Sequence, residues 1–197
     1  GRPTRIVKEQ AGRSPPPNML DYAATRAGFD WGEARRLLDG LPQGRGLNIA
    51  HEAVDRHATG ALAGKIALRW LGRGGARREI SYAELKRETS RFANVLRRLD
   101  VAPGEGVYLL LGRVPELHIA ALGALKAKCV VTPLFSAFGP EPIATRLQLG
   151  QGRVLVTTPA LYERKVKPLR SRLPDLRHVI LVGGVGVVLA LVLGVYV

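Results

Sequence analysis

The sequence predicts an α/β protein: a partial doubly wound, mostly parallel sheet with flanking helices and an N-terminal β-hairpin. Three observations carry this reading. Val107–Leu111, Cys129–Leu134, Arg153–Thr157 and His178–Val182 are largely apolar runs of strand length, suited to strands covered on both faces. Segments of helix length separate them with short connections, the alternation of a parallel sheet with crossover helices. Upstream, Lys65–Leu71 and Arg77–Ile80 flank Gly72-Arg73-Gly74-Gly75, a hairpin signal.

Taken in order, residues 1–20 are polar and proline-rich around Ser14-Pro15-Pro16-Pro17, a flexible lead-in. Residues 21–63 suit short helices, with Asn48 able to cap one carrying Ile49, Ala53, Val54 and His57. Ser81 and Glu84 form a capping box, each side chain meeting the other's backbone amide. Behind it Tyr82, Leu85, Thr89, Phe92, Leu96 and Leu99 recur at three- and four-residue spacing, marking one helix face that ends at Asp100. Ala102–Gly106 turns the chain into the first parallel strand. Helix 116–128 is apolar nearly all round, with Lys126 and Lys128 at its negative end. Strand 129–134 leads into the turn Pro133–Glu141, at a strand's carboxyl end, where such sheets bind ligands. Helix 140–149, strand 153–157, helix 161–172 and strand 178–182 complete the pattern. The domain reading is therefore 21–63 helical, 64–182 a partial α/β domain and 183–197 an apolar tail.

Composition excludes some functions and leaves others open. Lys+Arg number 30 against 16 Asp+Glu, a formal charge of +14. Such an excess suits nucleic acid, a phosphate-rich ligand or an anionic surface. The basic residues fall in scattered pairs (Arg35-Arg36, Arg77-Arg78, Arg97-Arg98) without aromatic interleaving, which argues against nucleic acid. One cysteine, Cys129 in an apolar run, excludes an internal disulfide framework and is compatible with a reducing, cytoplasmic setting. His51, His57, His118 and His178 have no metal-ligand spacing and read as structural. Gly183–Val188 follows a strand like a dinucleotide loop, but lacks the third glycine and the later acid. No glycine-rich loop carrying a lysine occurs, so the amides and cation that grip a triphosphate are missing. Val179–Val197 carries no charge. That length just spans a bilayer, and a truncated or frame-shifted end is the other reading.

Several words recur in order: Leu47–His57 (LNIAHEAVDRH), Ile80–Leu85 (ISYAEL), Phe92–Leu96 (FANVL), Pro103-Gly104, Pro115-Glu116, and Pro133–Glu141 (PLFSAFGPE) with Arg146. Together they resemble the acetyl-CoA synthetase branch of the adenylate-forming acyl-CoA ligases, over about residues 30–182. The resemblance implies the first part of that family's large domain, and chemistry with ATP, Mg, coenzyme A and acetate or another short carboxylate. The acid would be activated as an acyl-adenylate and passed to the thiol. It further implies that the turn at Phe135–Gly139 lies beside the coenzyme A nucleotide. Phe135 and Ala137 are thus candidate contacts, with Arg164 and Lys165 candidates for its phosphates. A solvated helix face is the alternative for that basic pair, and plain core for Phe135 and Phe138. The family's ATP loop, later acidic residue and catalytic lysine belong beyond residue 182, so no catalytic residue and no metal ligand is assigned. The expectation is a partial ligase, inactive alone. The alternative is a non-enzymatic binding module with a membrane tail at 179–197. Asp100 and Lys128 stand where that family has glycine, and both should strain a helix end that prefers a left-handed residue.

Overall fold

The computed structural model describes residues 19–183. They belong to two compact units, one running to Leu38 and one from Asp39.

The first unit contributes two short helices, α1 (Tyr22–Ala27) and α2 (Trp31–Arg36). Each starts on an aspartate whose carboxylate accepts a first-turn amide: Asp21 from Ala24 at 3.0 Å and Asp30 from Glu33 at 2.9 Å. Phe29 and Trp31 meet edge to face at 4.9 Å.

The second unit opens with α3 (Ile49–Ala53), capped by Asn48 as its side chain predicts. The Asn48 amide also donates to the Leu125 carbonyl at 2.8 Å, tying this helix to a later one. Strands β1 (Ile66–Leu71) and β2 (Arg77–Ser81) form the expected antiparallel hairpin. Helix α4 (Tyr82–Arg98) follows directly, with both halves of the Ser81/Glu84 capping box made. Its buried residues are Leu85, Thr89, Phe92 and Leu96, the face that the spacing picks out.

Strands β3 (Gly106–Leu110), β4 (Val130–Pro133), β5 (Gly152–Thr157) and β6 (His178–Leu181) form a parallel sheet in the order β4-β3-β5-β6. β3 is buried throughout and β5 nearly so, as their unbroken apolar runs require. Helices α5 (Pro115–Lys126), α6 (Pro140–Leu149) and α7 (Pro159–Lys165) make the crossovers. Two cores result. One joins α4 and α5 to the sheet through Phe92, Leu96, Val107, Leu109, Ile119 and Val156. The other joins α6 and the segment after α7 through Leu110, Ile143, Leu147, Leu155, Val166 and Leu176. At the first interface Gly123 of α5 has no room for a methyl: a Cβ would stand 2.7 Å from the Thr89 carbonyl and 2.9 Å from Phe92 Cβ.

The expected left-handed helix ends are present. Asp100 has φ 53° and Lys128 φ 63°. Each is followed by a buried residue whose amide bonds five residues back, Val101 to Leu96 at 3.0 Å and Cys129 to Ala124 at 2.9 Å. Pro133 lies on the side of β4 away from β3, because Val130 and Leu134 direct their amides to Glu105 and Leu109 of the β3 side.

Some details differ from expectation. Helix 161–172 is broken: α7 stops at Lys165 and a 3-10 segment runs Lys167–Arg172. Pro168 supplies no amide and disfavours α geometry in the residue before it. Val179, Ile180 and Leu181 are committed to β6, so the apolar stretch from 179 does not begin as a helix. The rest of that stretch, with most of the glycine-rich run after Val182, lies outside the described residues. Among the described residues no helix is long and apolar enough to cross a membrane.

Candidate functional site

From β3 the chain winds outward to β4, then returns past β3 to β5 and on to β6. The crossovers therefore diverge at the carboxyl ends of β3 and β5, the position where open α/β sheets bind ligands. Thr157 closes β5 there, its hydroxyl donating to the Leu110 carbonyl at 2.8 Å. The loop after β3 is held from the hairpin. The Trp70 indole donates to the Arg113 carbonyl at 2.7 Å, and Arg78 pairs with Glu116 at 2.8 Å.

The turn after β4 stands on the same end of the sheet. Leu134 donates to the Leu109 carbonyl at 2.8 Å and is buried, which anchors the start of the turn. Phe138 donates to the Phe135 carbonyl at 2.9 Å, closing the turn on itself. The two rings meet edge to face at 5.7 Å, and the Arg146 guanidinium lies 4.4 Å from the centre of the Phe138 ring. Beyond the turn, Arg172 grips Glu141 through both guanidinium nitrogens at 2.7 and 2.9 Å. That bidentate bond holds the Glu141 carboxyl below the usual carboxylate range.

The four candidate contacts separate into different environments. Phe135 is 65% exposed, which is not the packing of a core residue, whereas Phe138 is half-buried. Ala137 is exposed beside it. Arg164 is exposed on α7, and among the described residues its side chain carries no hydrogen bond or ion pair. Lys165 is not a solvated cation. Its ammonium donates to the Ser136 carbonyl at 2.6 Å and the Phe138 carbonyl at 2.7 Å. α7 is therefore fastened to the turn through Lys165, and Arg164 is the next residue along that helix.

Cys129, His51 and His57 sit in packed or hydrogen-bonded settings away from the turn. Cys129 is buried, and burial pushes its thiol up, with Glu105 adding to the effect. His51 meets the Asp39 carboxylate at 2.9 Å, and His57 lies against Tyr82 with ring centres 5.3 Å apart. His118 is exposed on α5, so it faces solvent and not the apolar interior that its helix suggests. A cleft of about 270 Å³, lined by Leu147, Gln148, Arg172 and Leu176, opens at the amino ends of the strands, away from the turn.

The surroundings of the turn suit part of one group. An exposed aromatic ring, open backbone and a guanidinium without a partner among the described residues are groups with which a protein can stack on a nucleotide and meet its phosphates. They do not suit ATP with Mg. No glycine-rich lysine loop exists in the sequence, and the described residues hold no group of three His, Cys, Asp or Glu side chains able to share an ion.

Comparison with known proteins agrees with this architecture. The family model described as "AMP-binding enzyme" matches residues 54–190. Acetyl-coenzyme A synthetase of Bacillus subtilis is 40% identical over 170 residues, covering 85% of this chain and 28% of the relative. Acetyl-coenzyme A synthetase of Streptomyces coelicolor is 34% identical over 139 residues, 69% of this chain and 21% of the relative. The crystal structure of Brucella canis acyl-CoA synthetase superposes with a TM-score of 0.67 at 31% identity, covering 85% of this chain and 30% of that one. The fold is that of adenylate-forming acyl-CoA ligases. This chain belongs to the AMP-binding enzyme family. It spans less than a third of the length of the relatives it matches.

Proposed function

We propose that this chain builds the opening part of the adenylating domain of an acyl-CoA ligase that uses acetate or another short carboxylate. The alignment of 170 residues at 40% identity with an acetyl-coenzyme A synthetase carries the reading. In the whole reaction ATP and the acid would give an acyl-adenylate, and coenzyme A would take the acyl group. The part played by these residues is scaffold and one wall. The sheet fixes the turn 134–139, Phe135 offers a ring to the coenzyme A nucleotide, Ala137 offers open backbone, and Arg164 offers charge to its phosphates.

The residues that would grip the triphosphate are not in the sequence, so the chain by itself does not activate the acid. Exchange of labelled pyrophosphate into ATP, with and without acetate, tests this on the purified chain. No acetate-dependent exchange is expected, and exchange above background refutes the assignment. Coenzyme A titrated against the isotope-labelled chain should shift the amide signals of 135–139 and 164. Shifts elsewhere, or none, refute the wall.

A further inference from the structure

We infer that Lys165 is a positioning residue for the turn, setting the direction of its peptides and not itself meeting the ligand. The inference rests on the reading of the turn as a coenzyme A wall and deepens it. Lys165 is half-buried, and its ammonium is shared between two carbonyls of the same turn, Ser136 at 2.6 Å and Phe138 at 2.7 Å. Both acceptors lie 27 to 29 residues earlier in the chain, so this contact is tertiary. An ammonium with two close acceptors on one side has little left to offer a phosphate. Its neighbour Arg164 is a cation whose side chain has no partner among the described residues.

The consequence for the turn follows from peptide planarity. In a trans peptide the carbonyl and the following amide point in opposite directions, and the described residues contain no cis bond. With the Ser136 and Phe138 carbonyls turned to Lys165, the amides of Ala137 and Gly139 must face the other way. Neither amide donates to another group among the described residues. Alternate peptides of one turn thus present two parallel donors beside the exposed Phe135 ring. An electron-rich partner such as a nucleobase nitrogen or a phosphate oxygen fits there. Closure by the Phe138 amide on Phe135 and the Arg146 guanidinium over the Phe138 ring keep the same geometry from the other flank. The arrangement is prepared before any ligand arrives, so ligand binding need not first order the turn.

Three variants of the full chain test the role: Lys165→Met, Lys165→Arg and Arg164→Met. In Lys165→Met the Phe138 amide should exchange with solvent roughly ten-fold faster, and the Ala137 and Gly139 signals should move, because two charge-assisted bonds are gone. Lys165→Arg, whose forked donors can reach both carbonyls, should restore the slow exchange. Coenzyme A affinity should fall by about ten-fold in Lys165→Met with an unchanged salt dependence. Arg164→Met should flatten that salt dependence, as removal of a direct phosphate contact does. Unaltered exchange in Lys165→Met overturns the inference, and so does a flattened salt dependence in that variant. If the parent chain shows no coenzyme A shift, the reading of the turn as a ligand wall fails. The exchange of the Phe138 amide then decides on its own whether Lys165 positions the turn.

Discussion

Replacing Lys128 by glycine should stabilise the chain, although it deletes a lysine from the carboxyl end of a helix. Lys128 has φ 63°, in the left-handed region, and cannot leave it. Its own carbonyl accepts from Gly104 at 2.9 Å, and the next amide, Cys129, is bonded to Ala124 at 2.9 Å. A residue with a Cβ costs about 1–2 kcal/mol in that conformation. Glycine returns about 0.5–1 kcal/mol of this through its greater freedom in the unfolded chain. Loss of the favourable charge at the helix end takes roughly another 0.3 kcal/mol. Because the side chain is exposed, no packing is lost. The net is about 0.5 kcal/mol in favour of Lys128→Gly, a rise of roughly 1–2 °C in Tm for a domain of this size. Lys128→Val separates charge from conformation: it removes the same ammonium but puts a β-branched residue where φ is positive, and should destabilise by about 1 kcal/mol or more. Urea unfolding followed by far-ultraviolet circular dichroism reads both. Equal midpoints for the glycine and valine variants would show that the left-handed backbone at 128 stores no strain.

Four further outcomes follow from contacts already described. Ser81→Ala removes one side of the capping box and should cost about 1 kcal/mol in urea unfolding. The Glu84 carboxyl is held below its ordinary range, chiefly by the Ser81 amide, against an opposing push from burial. A lowered folded pKa stabilises above the unfolded value and is lost as pH falls through the folded one, so Glu84→Gln should shrink the loss of stability on the acid side of the ordinary glutamate pKa. Gly123→Ala improves helix propensity by about 1 kcal/mol, yet its methyl would meet the Thr89 carbonyl at 2.7 Å, and that is backbone that cannot step aside. Overpacking of this kind costs about 1–3 kcal/mol, so a lower thermal midpoint is expected, and a higher one would show that α4 and α5 can move apart freely. Phe135→Ala, at a 65% exposed ring, should leave the urea midpoint within about 0.5 kcal/mol while weakening the coenzyme A shifts; a large fall in stability would return that ring to the core.

What could be read from the sequence was what depends on near neighbours. The capping box needs only Ser81 and Glu84 three residues apart, and the buried face of α4 needs only its own spacing. The central strands β3 and β5 announced themselves because burial on both faces demands unbroken apolar runs, whereas the edge strands β4 and β6 carry similar runs with less burial. Asp100 and Lys128 were legible as strained because a helix end has a fixed backbone requirement whatever surrounds it. The break after Lys165 was also present in the chain, at Lys167-Pro168, and the apolar periodicity through 172 masked it.

Contacts across long separations were not legible. Nothing local distinguishes Lys165, bonded 29 residues back to Ser136, from Arg164 beside it, whose side chain has no partner among the described residues. Both are basic residues on one short helix, and only the approach of the turn separates their roles. Trp70 likewise gives no sign that its indole reaches Arg113, 43 residues on. That the turn follows β4, outside the pair of strands where the winding reverses, required the strand order itself.

The placement of Pro133 makes the sheet's two borders chemically unequal. On β4 the outward positions are Val131 and Pro133, and the second has no hydrogen to give, so an incoming strand would find the ladder interrupted there. β6, His178–Leu181, contains no proline and has one neighbour among the described residues. A strand added beside β4 would find one donor missing at Pro133, whereas one added beside β6 would meet no proline. The composition of the two edges thus favours extension of the sheet beyond β6 over extension beyond β4.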